Sequence, residues 1–121
     1  MTGPATAAGG ATDYCDLARS YAKAFERFGQ PATADDHRSY YRNALAAARR
    51  APAVAPAELR ADVVVVADGL QALVAGLEGI DYDFARVSYL PAQVITKLMS
   101  GPFVESSRKV ADHARQSCGA G

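Results

Sequence analysis

Between Leu59 and Leu77 the apolar residues Leu59, Val63, Val66, Leu70, Leu73 and Leu77 recur at alternating intervals of four and three. That period constrains the chain more than any other feature. A helix brings residues three and four apart onto one face, whereas a strand alternates every second residue. The stretch therefore predicts a central helix, opened by Pro56, whose fixed φ suits a first turn. Val63 to Val66 are four β-branched residues in succession, and taken alone they favour a strand. The helical period of their flanks outweighs that preference. Gly69 and Gly76 stand seven apart on nearly one helix face. Two explanations stay open for them: close approach of a neighbouring helix, or loose helix design, at about 1 kcal/mol each against alanine.

The rest of the chain reads as further helices. Thr12 or Asp13 can cap a first helix to about Phe28, with Tyr14, Leu17, Ala18, Tyr21, Phe25 and Phe28 as its apolar stripe. Gly29 and Pro31 stop it. Thr33 and Asp36 form a variant of the capping box, starting a second helix that carries Tyr41, Leu45 and Ala48 inward and runs to Arg50. The run from Ala51 to Pro56 is expected to break it. From Gly79 to Gly101 the pattern is less regular, with a short helix from Pro91 to Met99. Gly101 and Pro102 mark a break, and Phe103, Ser107, Val110, Ala114 and Cys118 define a last helix ending at Gly119. The expected fold is all-α, an up-and-down bundle of four or five helices over residues 13–119, behind a flexible Gly, Ala, Thr and Pro tether at residues 1–12.

Composition excludes several classes of partner. The 121 residues include 26 alanines and no tryptophan, which suits closely packed helices. Thirteen basic residues balance thirteen acidic ones, so no net field draws the chain toward nucleic acid or an anionic membrane. The most apolar region, Val63 to Leu77, is interrupted by Asp68 and Gln71 and falls short of the roughly 20 apolar residues that cross a bilayer. No transmembrane span is expected. The tether has neither the basic start nor the apolar run of a signal peptide, and is what would remain after removal of a leader.

The two cysteines bracket nearly the whole domain, Cys15 one turn into the first helix and Cys118 at the end of the last. With an even number of long antiparallel helices these positions meet at one end of the bundle, so a disulfide joining first and last helices is expected. The alternative is two buried thiols that never meet. A bond of this kind persists outside the cytoplasm. The early Tyr14-Cys15, the stretch Ala55-Pro56-Ala57-Glu58-Leu59-Arg60-Ala61-Asp62 and the closing Cys118-Gly119 together resemble small two-cysteine secreted or lipoprotein-like helical proteins of actinobacteria. The resemblance implies export and a helical fold, and supplies no catalytic residue.

Candidate chemistry is sparse. His37 and Tyr41, four apart on the second helix, could offer an imidazole and a phenolate to one metal or haem iron. Ordinary capping and packing is the blander account, with His37 solvated near a helix start. Met99 could add an axial sulfur if folding brings it close, or else is simple core. Tyr82, Phe84, Tyr89 and Phe103 concentrate large side chains in the irregular segment and would form the wall of any apolar cavity, or else complete the core. Glu78, Asp81 and Asp83 lack the pattern of a calcium loop. Ser106 and Ser107 precede His113 without an evident acid partner or oxyanion loop. No phosphate loop, dinucleotide turn or zinc spacing occurs. The expectation is a non-catalytic exported helical module, extracellular or at the cell envelope, that binds an unknown protein. The alternative is a carrier of haem or a small apolar ligand through His37 and Tyr41. No cofactor, metal or nucleic acid is expected.

Overall fold

The computed structural model describes residues 14–20, 23, 26, 30 and 32–118. Among them lie five α-helices: α1, helical at 14–20 and at 23 and 26, α2 (Ala34–Val54), α3 (Arg60–Gly79), α4 (Ala92–Leu98) and α5 (Gly101–Ser117). Short 3-10 turns occupy Ala57–Leu59 and Phe84–Tyr89. No described residue is in a strand. The tether, the Thr12 or Asp13 cap, Tyr21, Phe25, Phe28, Gly29, Pro31 and Gly119 lie outside the described residues.

The apolar period sets the axis of the fold. Val63, Val66, Leu70, Leu73 and Leu77 are all buried along α3, and each such side chain contributes about 1.5–3 kcal/mol on leaving water. The four consecutive valines are helical. α2 lies beside α3 with Tyr41, Ala44, Ala48 and Ala51 buried, small side chains that let two backbones approach. The two helices are antiparallel, since Arg42 near the start of α2 pairs with Glu78 near the end of α3. At the other end Arg60, which opens α3, donates to the carbonyl oxygens of Pro52 and Ala55.

α2 continues past Arg50 to Val54 with Pro52 inside it, which corrects the expected break. Proline removes one donor and crowds one carbonyl. So near the helix end the loss is small, and it is offset by the burial of Ala51 and Ala55 and by the Arg60 bond to the Pro52 carbonyl. Pro56 precedes a 3-10 turn, and α3 proper begins at Arg60.

The glycines of α3 are contact points. A Cβ on Gly69 would overlap the Phe103 ring, and one on Gly76 would stand 2.9 Å from Leu90 Cδ2. Of the two open explanations, close approach is the one observed. α5 runs antiparallel to α3, because Phe103 meets Gly69 while Ser106, one turn on, donates to Asp62, nearly two turns earlier, at 2.8 Å. Ser100 caps α5 by accepting from the Phe103 N–H. Cys118 ends it and is bonded to Cys15 in α1, with Cα atoms 5.5 Å apart at a sequence separation of 103. First and last helices are thus joined as the cysteine positions predict.

Candidate functional site

The polar and aromatic side chains converge where α2 begins and α3 ends. Thr33 starts α2 by accepting the Asp36 N–H at 3.1 Å, which sets His37 in the first turn and Tyr41 one turn later on the same face. α3 ends in a turn that runs through Asp81 and Tyr82 at φ 55° and 57°. Left-handed backbone at a non-glycine residue costs about 1–2 kcal/mol. The Tyr82 N–H donates to the Leu77 carbonyl at 2.8 Å and the Asp83 N–H to the Ile80 carbonyl at 3.0 Å. Asp83 then caps the next turn through the Ala85 N–H.

This reversal lays Phe84 flat on His37, ring centroids 4.0 Å apart and planes 18° from parallel. Tyr41 lies 6.0 Å from Phe84 and 6.1 Å from His37, and Tyr40 meets Tyr41 edge-on. His37 is only 3% exposed. The expected solvated histidine is therefore corrected. A side chain far along the chain, carried by a turn that no local spacing encodes, covers it.

A charged network holds the turn in place. Tyr82 is buried and its hydroxyl donates to Glu78 Oε2 at 2.9 Å. Arg42 grips both carboxylate oxygens, at 2.6 and 2.8 Å, a forked geometry stronger than a single contact. The Arg38 guanidinium stands 5.4 Å from the Tyr82 ring, within cation–π range. The Arg42 bond, then the Tyr82 bond, hold the Glu78 carboxyl below the ordinary glutamate value. Burial first, and the bond to Glu78 second, push the Tyr82 phenol up to about 12. Glu78 sits at the C-terminal end of α3, where the helix dipole disfavours a carboxylate, so a nearby cation was the one sequence signal for this network. Its partner, Arg42, is 36 residues away.

Of the residues singled out in the sequence, His37, Tyr41, Tyr82 and Phe84 belong to this nest, and the others do not join it. Tyr89 and Met99 are 71% and 75% exposed, and Phe103 is buried over Gly69 between α3 and α5. The segment from Tyr82 to Phe103 therefore forms no single wall. Ser106 is engaged with Asp62, while His113 packs edge-on against Tyr14, 5.8 Å away, beside the disulfide.

Two other features face solvent. Ile95, 44% exposed, and Met99 lie one turn apart on the outer side of α4, opposite the Leu90 and Val94 contacts to Gly76. Near the disulfide, Asp16 and Leu17 of α1 and Arg49, Arg50, Ala53 and Val54 of α2 line an open groove of about 610 Å³. No described helix is long and apolar enough to cross a membrane, and no group of three metal-ligating side chains occurs among the described residues. No protein-family model, curated protein or solved structure matches the chain.

Proposed function

We propose that this chain is a non-catalytic binding module, working outside the cytoplasm, that engages a protein through Tyr89, Ile95 and Met99. The observation that carries the reading is the exposure of these three large side chains at 71%, 44% and 75%, on and beside the short helix α4. Methionine and tyrosine are enriched at protein interfaces, and methionine adapts to irregular partners. Arg86 stands 5.6 Å from the Tyr89 ring, and arginine with tyrosine is a recurrent source of binding energy.

Charge narrows the partner. From Phe84 to Val104 there is no acidic residue, while Arg86 and Lys97 are both present and exposed. A second copy meeting the same face about a two-fold axis would set these cations against each other. A partner with acidic residues around an apolar depression fits better. The Cys15–Cys118 bond supports placement outside the cytoplasm, where disulfides persist.

Site-specific photo-crosslinking in the producing cells tests the reading. A photoreactive residue at position 99 is expected to give one adduct of defined mass, absent when the probe is at exposed Asp68 and lost in Tyr89→Asp with the helical spectrum unchanged. Adducts equal at both positions would refute it. The haem alternative predicts a one-to-one hemin titration weakened by His37→Ala. With Phe84 already stacked on the His37 ring, no such titration is expected.

A further inference from the structure

The groove beside the disulfide combines two properties that ordinary solvated surface does not need together. Part of its lining is apolar: Leu17 and Val54 are half-buried against the core, and exposed Ala53 lines it with them. Its rim is cationic. Arg49 and Arg50 are successive residues of α2, both exposed, and both line the groove together with Ala53 and Val54 one turn on. Among the described residues neither makes an ion pair.

Among the described lining residues, the one carboxylate already has a partner. Asp16 pairs with Arg19 at 3.0 Å, and Arg19 is fixed in turn by the Cys118 carbonyl at 3.2 Å. Among the described residues, the groove therefore presents two arginines without an ion pair beside apolar side chains. At about 610 Å³ it falls within the usual range of small-molecule sites, roughly 300–1,000 Å³. Arginine forks match the planar or tetrahedral oxygens of carboxylate and phosphate, and an anionic headgroup alone would leave the apolar lining unused.

We propose that this groove binds a single-chain amphiphilic anion, its carboxylate or phosphate headgroup between Arg49 and Arg50 and its apolar chain along Leu17, Ala53 and Val54. The site shares no residue with the Tyr89 face, so it stands or falls independently of the protein-binding reading.

Calorimetric titration of the oxidised protein with dodecyl phosphate, below its micellar concentration, tests the assignment. Inorganic phosphate and dodecyl maltoside serve as the headgroup-only and chain-only probes. Saturable one-to-one binding of dodecyl phosphate, about tenfold tighter than either partial probe, is expected, with a loss of about tenfold in the exposed double variant Arg49→Gln/Arg50→Gln. Arg108→Gln/Lys109→Gln, remote on α5, should leave it unchanged. Laurate in place of dodecyl phosphate distinguishes a carboxylate from a phosphate headgroup, and tighter binding of either supports the site. Equal binding of inorganic phosphate would reduce the groove to an anion site, and equal binding of dodecyl maltoside to a greasy surface. Either result would overturn the proposal, as would an unchanged affinity in the Arg49/Arg50 variant whose circular dichroism matches the parent.

Discussion

The two ends of the bundle are closed by opposite means. At one end Cys15 and Cys118, at a sequence separation of 103, join the first and last helices, and the covalent bond acts chiefly on the unfolded chain. At the other end no covalent link exists, and a strained turn at Asp81 and Tyr82 is held by Arg42, Glu78 and a buried phenol. The first closure keeps its geometry across pH and loses it to reductant. The second is indifferent to reductant and sensitive to pH. A small alanine-rich domain thus divides its stabilisation between an entropic staple and a polar lock.

Opening the disulfide should have the largest effect on this contrast. A loop of about 100 residues is worth up to about 4.7 kcal/mol in the chain-entropy model, with about 2–4 kcal/mol typical. Urea titration with and without reductant should show that loss, and Cys15→Ala/Cys118→Ala should reproduce it in the absence of reductant. The Arg42–Glu78–Tyr82 network should persist in the reduced protein.

Gly69→Ala comes next. The new methyl overlaps the Phe103 ring, and overpacking of this kind costs about 1–3 kcal/mol, more than the roughly 1 kcal/mol that alanine gains within a helix. A net loss is expected in chemical denaturation. Phe103→Leu in the same chain should recover part of it, which separates the contact from helix propensity.

Within the polar end, Asp81→Gly should stabilise by about 1 kcal/mol, because glycine adopts φ 55° without steric conflict. Tyr82→Phe should lose about 1 kcal/mol with the bond to Glu78. If both substitutions are neutral, the turn is neither strained nor locked.

The smallest effects belong to pH. The Glu78 carboxyl is held below its ordinary value, so its contribution is present above the unfolded glutamate value of about 4.3 and fades as pH falls below it. Tyr82 is shifted the other way, from about 10 in an unfolded chain to about 12. Its contribution is complete below pH 10 and declines between about 10 and 12, because the unfolded chain loses the proton first. Stability against pH in Glu78→Gln and Tyr82→Phe should lack the acid and alkaline shoulders respectively.

Legibility in the sequence followed the range of each interaction. The α3 period, the Thr33 cap, the short helix after Pro91 and the cysteine pairing rest on local spacing or on chain position, and all were readable. The continuation of α2 through Pro52 was not, because the Arg60 bond that supports it is made eight residues on, across a turn. The His37 nest was half legible. Helical spacing joined His37 to Tyr41, but the left-handed pair at Asp81 and Tyr82 carries neither glycine nor asparagine to announce it, and only that turn delivers Phe84. The Tyr82 to Phe103 stretch divided because each large side chain met a different neighbour: Tyr82 met Glu78, Phe103 met Gly69, and Tyr89 and Met99 met solvent.

Oxidative footprinting at Met99 tests the functional account most directly. Met99 is 75% exposed and Met1 is the only other methionine, so dilute peroxide converts it to the sulfoxide at a rate readable in one peptide. The account predicts rapid oxidation in the purified protein and marked protection in the intact producing cells, with protection abolished by Tyr89→Asp. Equal oxidation of Met99 in both settings would contradict the claim that this face is the working surface of the molecule.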